Sequence, residues 1–309
     1  MFGKIDTSKF KRRKRVGIQL PDGLKSKAIE IAESLEKEGF EVIISGNTCF
    51  GACDVDMELL KEVDVLLHFA HTPILKIDNV IYVEYKIDFD ASKIEIDVPE
   101  KKLALISTAQ YCHKLKEVKE KLEKLGYEVE IKKGSGRVVY PGQVLGCNYT
   151  ALRGSKAEAI VFVGDGMFHA IGAAVYTGKK VYAFNPITGE LKVVDISDFV
   201  KRRYTLISKC KMLEKVGIIV SSKLGQKRLN LAFKIRDLAR KFNKKCYIVY
   251  LNEVTPEKLY NLPFDYYVNT ACPRISYDDS ELYQKPVITP QEFEIVLGVR
   301  EDLRMDEIE

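Results

Sequence analysis

The chain has 309 residues, 46% of them hydrophobic and 30% charged, which is enough apolar material for two or three modest cores. Its apolar runs, such as 65–70 and 159–163, fall far short of the ~18–20 residues a bilayer-spanning helix requires, and the N-terminus lacks the pattern of a targeting segment. A formal net charge of +5, much of it in the run Lys11 to Arg15 before a strand, describes a solvated edge and gives no argument for nucleic acid. The expectation is a soluble, cytoplasmic protein with no membrane contact, whose seven cysteines stay reduced and are available for metal, catalysis or core filling.

In chain order, the first predicted elements are a strand at Val16–Leu20, a helix running to Lys37 and a second strand over 39–44. Ala28, Ile31, Ala32 and Leu35 recur at helical spacing opposite Lys and Glu, and Gly39 supplies the left-handed residue that stops the helix. A loop with Cys49 and Cys53 follows, then strands at Asp64–Ala70 and Val80–Glu84. The plan then repeats. Leu103–Ser107, a helix to Leu125, Gly126 and a strand to Ile131 lead to a loop carrying Cys147, with later strands at Ala159–Val163 and Lys180–Phe184. It repeats again: Val216–Val220, a helix to Phe242 and Lys245–Val249, then strands at Asp265–Asn269 and Val287–Thr289. Cys272 directly follows the third strand of this last unit.

Short Val- and Ile-rich strands joined by helices mean parallel pairing through right-handed crossovers. The predicted fold class is therefore α/β, with three repeated small parallel-sheet domains in pseudo-threefold arrangement around a central cleft. The units are read as residues 1–100, 101–212 and 213–309, with boundaries near Pro99–Lys102 and Cys210–Val216.

Ligands in open α/β sheets sit beyond the carboxyl ends of strands. Cys53, Cys147 and Cys272 all lie at such ends, one per unit, as a shared central site requires. Cys49 competes with Cys53. Cys210 and Cys246 read as core or surface thiols, and Cys112, at a helix start in Gln110-Tyr111-Cys112-His113, reads first as filler although a helix N-terminus lowers a thiol pKa. Three thiolates suit either zinc or a four-iron cluster with one open iron. The wide separations, with no C-x₂-C pair, favour the cluster. Cys49 and Cys53 match the first two places of the common Cys-x₃-Cys-x₂-Cys radical motif, but the third place is Asp56. His68 sits inside an apolar strand and reads as core. His71 and His169 lie just past third strands and read as core or cleft residues.

The segments Gln19-Leu20-Pro21-Asp22-Gly23, Cys49-Phe50-Gly51-Ala52-Cys53-Asp54, Gly142-Gln143-Val144-Leu145-Gly146-Cys147 and Asn269-Thr270-Ala271-Cys272-Pro273-Arg274 together resemble the archaeal-type diphthamide synthase subunits, the 2-(3-amino-3-carboxypropyl)histidine synthases. The resemblance covers almost the whole chain, and the one departure is Phe50 where the family carries Tyr. It implies a 4Fe-4S cluster on Cys53, Cys147 and Cys272 whose open iron binds S-adenosylmethionine. Cleavage on the Cγ side of methionine would then move a 3-amino-3-carboxypropyl group to C2 of a histidine of elongation factor 2. It further implies a homodimer and an external electron donor. Residues placed to hold S-adenosylmethionine are Arg274 for its carboxylate, Asp165 for its amine, and Gln19 and Asp22 at the turn after the first strand. The plainer readings are a surface salt bridge for Arg274 and ordinary turns for the others. Two rival functions are a quinolinate synthase-like cluster enzyme and a non-enzymatic iron–sulfur binding module.

Overall fold

The computed structural model describes residues 5–309. Unit one contains β1 (Arg15–Gln19), α1 (Ala28–Glu36), β2 (Glu41–Ile44), α2 (Leu59–Glu62), β3 (Val65–Phe69) and β4 (Val80–Val83). Unit two contains β5 (Lys102–Ser107), α3 (Leu115–Lys124), β6 (Glu128–Glu130), β7 (Ala159–Val163), α4 (Phe168–Thr177), β8 (Lys180–Phe184) and β9 (Leu191–Val193), and is followed by α5 (Ser197–Lys211). Unit three contains β10 (Lys215–Ser221), α6 (Leu229–Lys241), β11 (Lys245–Leu251), α7 (Pro256–Tyr260), β12 (Tyr266–Asn269), α8 (Pro273–Tyr277), β13 (Val287–Ile288) and α9 (Pro290–Val296).

The three sheets have one topology. Their orders are β2-β1-β3-β4, β6-β5-β7-β8-β9 and β11-β10-β12-β13, so each unit's first strand lies between its second and third. The register repeats as well: Val16 faces Val42 and Val65, Leu103 faces Val129 and Ala159, and Val216 faces Cys246 and Tyr266. All pairs are parallel except β8–β9. That antiparallel edge strand was not expected; it is three residues long and largely exposed, so it carries no buried apolar pattern to read.

The repeat has local causes. β3 and β7 are buried at every position, as strands covered on both faces must be. Helices α1, α3 and α6 bury one stripe each, for example Ala28, Ile31, Ala32 and Leu35 of α1. Gly39 and Gly126 take φ of 91° and 89° after the first two of these helices, and in unit three Asn243, at φ 56°, does the same work.

Connecting segments pack across the units. Ala91, Ile94, Ile96 and Val98 enter the core formed under β5 and β7. Helix α5 places Ile207 and Cys210 in the core of unit three, and its buried Arg203 makes a two-pronged ion pair with Glu292 of α9, at 2.6 Å on each arm. The C-terminal residues run back to unit two, where Met305 joins its core. The units are thereby laced together, and their carboxyl-terminal strand ends face a common junction. Among the described residues, no helix is long and apolar enough to cross a membrane.

Candidate metal centre

The loop after β2 is held from below. Gln19, buried at the end of β1, donates from Nε2 to the Asp54 carbonyl at 2.7 Å and accepts at Oε1 from the Asp56 amide at 3.0 Å. The Asp56 carboxylate accepts from Ser45, Asn47 and the Leu59 amide; burial pulls its pKa up, and these bonds hold it below the usual range.

Unit three closes on this loop through the segment after β10. Lys223 pairs with Asp54 at 2.8 Å, with both side chains largely buried. Gln226 donates from Nε2 to the Cys53 sulfur at 3.4 Å. Gly225 packs so tightly that a Cβ there would stand 2.4 Å from the Cys53 Cα.

Cys147 is fixed by the chain terminus, because the Ile308 amide donates to its carbonyl at 2.7 Å. Its neighbour Gly146 admits the Phe168 ring and the Arg274 side chain, which a Cβ would meet at 2.3 and 3.2 Å. Cys272 stands at the N-cap of α8. Arg228 braces the approach to it, donating to the Thr270 and Ala271 carbonyls at 2.8 and 3.0 Å while pairing with Asp306.

Cys272 lies in the field of Cys53 and Cys147, and Cys147 in that of Cys53. Burial and then the charge of Cys53 and Cys147 push Cys272 up to about 12. Burial raises Cys147 to about 11, against the opposing pull of Arg137, with Cys53 adding to the rise. Burial also raises Cys53, and the Gln226 hydrogen bond works against it. All three are free thiols and partly exposed. A junction of this kind keeps its thiols protonated until a cation arrives to compensate three converging negative charges. That donor set, soft and one per unit, fits an iron–sulfur cluster with one corner left for another ligand.

The remaining cysteines divide clearly. Cys210 and Cys246 are core residues. Cys112, despite its place at a helix start, is buried, donates to the Thr108 carbonyl, and is pushed up to about 12 by burial, so it is not an activated thiol. Cys49 is buried within unit one, grouped with His68 and His71. His169 lies against the rings of Phe162 and Phe168, and burial lowers it to about 4.

A pocket of about 160 Å³ adjoins Cys272, lined by Phe50, Lys223, Gln226, Arg274, Asp278 and Asp279 among others. Arg274 pairs with Asp278 at 2.6 Å and lies 4.6 Å over the Phe168 ring of unit two. Asp22 is exposed and pairs with Lys25 at 2.7 Å. Asp165 is exposed on the turn after β7, near enough to Tyr111 to add to the upward shift that burial gives that hydroxyl. Gln19 has its amide engaged on its own unit.

Sequence reasoning missed Lys223, Gln226 and Arg228. A signal existed: they follow the first strand of unit three, where unit one has the Pro21-Asp22-Gly23 turn that was singled out.

A model of the family described as "Putative diphthamide synthesis protein" matches residues 20–308. The chain belongs to the diphthamide synthesis family. It is 40% identical over 305 residues to the 2-(3-amino-3-carboxypropyl)histidine synthase of Pyrococcus horikoshii, covering 96% of this chain and 89% of that one. The synthase of Methanocaldococcus jannaschii is 29% identical, covering 96% and 88%. Among solved structures, the crystal structure of Dph2 from Pyrococcus horikoshii with a 4Fe-4S cluster superposes with a TM-score of 0.90 at 38% identity, over 99% of this chain and 94% of that one. Phe50, the aromatic departure in the Cys53 motif, is 60% exposed at the mouth of the pocket, so the loss of a tyrosine hydroxyl there leaves no buried polar group unpaired.

Proposed function

We propose that this chain transfers a 3-amino-3-carboxypropyl group from S-adenosylmethionine to a histidine of elongation factor 2, the first step of diphthamide synthesis. Cys53, Cys147 and Cys272 would hold a 4Fe-4S cluster for this reaction. The observation that carries the reading is the convergence of one partly exposed thiol from each unit at the strand ends, in a member of a family of histidine synthases. A cluster held by these three cysteines would supply the electron that cleaves the sulfonium of S-adenosylmethionine.

The chain's own side chains bind and orient. The pocket beside Cys272 holds cations and acids together, which is what the carboxylate and ammonium of a methionine moiety need. Arg274 is assigned to the carboxylate. Asp278 and Asp279 line that pocket together with Cys272 and Arg274, and are assigned to the amine. Asp22 and Gln19 are assigned to the supporting turn. Lys223–Asp54 ties unit three to the Cys53 loop, and Arg228–Asp306 ties the C-terminal segment to the approach to Cys272, so both loops are held in place for the reaction. We assign the working form as a cytoplasmic homodimer that draws electrons from an external donor.

The test is anaerobic reconstitution, reduction, and incubation with elongation factor 2 and S-adenosylmethionine labelled in its aminocarboxypropyl portion. Label is expected on the factor, with methylthioadenosine released in equal amount. Reduced, iron-loaded protein that leaves S-adenosylmethionine intact would overturn this reading in favour of a non-enzymatic iron–sulfur module.

A further inference from the structure

Unit one carries a second set of ligating side chains that the proposed function does not use. Cys49 stands on the loop after β2, His68 on β3 and His71 just beyond it, and one donor atom of each lies within 4.8 Å of the others. The orientation of His68 follows from the backbone. The Asp54 carbonyl can only accept and the Asp56 amide can only donate, so the Gln19 amide between them has its Nε2 and Oε1 assigned. Gln19 Oε1 must then accept from His68 Nδ1, 2.8 Å away. The proton of the neutral imidazole therefore sits on Nδ1, and Nε2 keeps its lone pair, 2.9 Å from His71 Nδ1.

A histidine held from behind by an amide oxygen, with its lone-pair nitrogen forward toward His71, is arranged as metal-ligating histidines are. Burial keeps both rings neutral, lowering His68 to about 3 and His71 to about 4. The carboxylates of Asp54 and Asp22 add negative charge around Cys49, a field that favours a cation.

We propose that Cys49, His68 and His71 form a second metal site, lying wholly within unit one, that takes a single zinc ion. One thiolate and two imidazoles make a borderline-soft donor set suited to zinc. Two nitrogens at tetrahedral zinc stand about 3.3 Å apart, so the histidine pair need open by only a few tenths of an ångström. On binding, the Cys49 thiol releases its proton to solvent and its sulfur donates to the metal; the His71 proton moves from Nδ1 to Nε2, and no electron changes hands. With three protein ligands among the described residues, the fourth position falls to water. The proposal stands or falls separately from the assigned transferase activity, since it concerns metal content alone.

The test uses the full chain with its iron centre reconstituted anaerobically, exposed to micromolar zinc, freed of loose metal, and assayed for iron and zinc together. One zinc per chain is expected beyond the iron. Cys49→Ser and His71→Ala each remove a ligand, so each should weaken zinc binding by at least the roughly hundredfold that loss of an outer-shell partner can cost, with iron unchanged. His71 is only partly buried, so its variant carries the test should Cys49→Ser fold poorly. Cobalt(II) in place of zinc should give a thiolate charge-transfer band that His71→Ala weakens. Absence of zinc beyond the iron would overturn the site. So would zinc that survives both replacements and is lost only with Cys53, Cys147 or Cys272.

Discussion

At the scale of single residues, the geometry around Cys53 separates ligand from support. Gln226 reaches its sulfur from another unit with an amide N–H, and a donor to a thiolate stabilises the more negative, reduced form of a cluster. Gln226→Leu is therefore expected to keep its iron but shift the midpoint potential about 30–60 mV more negative, the equivalent of about 1 kcal/mol, in an EPR-monitored redox titration. An unchanged potential would mean that this contact does not act on the cluster. The sequence marked Cys53 through its neighbours on the loop, but Gln226 is 173 positions away and its type is unremarkable, so only the folded chain reveals the pair. The grouping of Cys49 with His68 and His71 was hidden for a related reason. A histidine inside an apolar strand reads as core, and its second nitrogen is visible only once β3 lies beside β1.

At the scale of elements, the repeat was legible because each unit's first and third strands are buried apolar runs and each amphipathic helix ends at a residue with positive φ. What sequence periodicity did not carry was the exchange of packing between units, such as α5 lying against α9, since an apolar stripe does not say whose core it enters. The turns after the first strands give a matched test. Gly225, after β10, is pressed on the Cys53 backbone, whereas a Cβ at Gly23, after β1, would meet nothing within 4 Å. Gly225→Val must push unit three from the Cys53 loop, so its iron content after reconstitution should fall several-fold. Gly23→Val should load normally. Equal loading of the two variants would show that this close approach is not needed to form the centre.

At the scale of the whole molecule, burial of titratable side chains sets how the metal-free chain responds to pH. His68, His71 and His169 are lowered to about 3, 4 and 4, so folding holds them neutral while the unfolded chain takes up protons below about 6.5. Stability present above pH 6.5 is then lost as pH falls toward 4, at about 1.4 kcal/mol per pH unit for each histidine. Urea midpoints of the metal-free chain should drop between pH 7 and 5, and His169→Phe should make that drop shallower. On the alkaline side, thiols raised by burial, including Cys147 at about 11 and Cys272 at about 12, contribute stability below pH 9 that is lost as pH rises through those values. The acid-side trend comes from burial of these histidines, whereas the alkaline one includes the thiols of the junction itself. The most direct test of that junction is the iron content of anaerobically reconstituted single-cysteine variants. About four irons per chain are expected in the parent protein and in Cys210→Ala and Cys246→Ala, with loss of the cluster in Cys53→Ala, Cys147→Ala and Cys272→Ala. A full complement of iron in Cys53→Ala would contradict the assignment of one thiol from each unit.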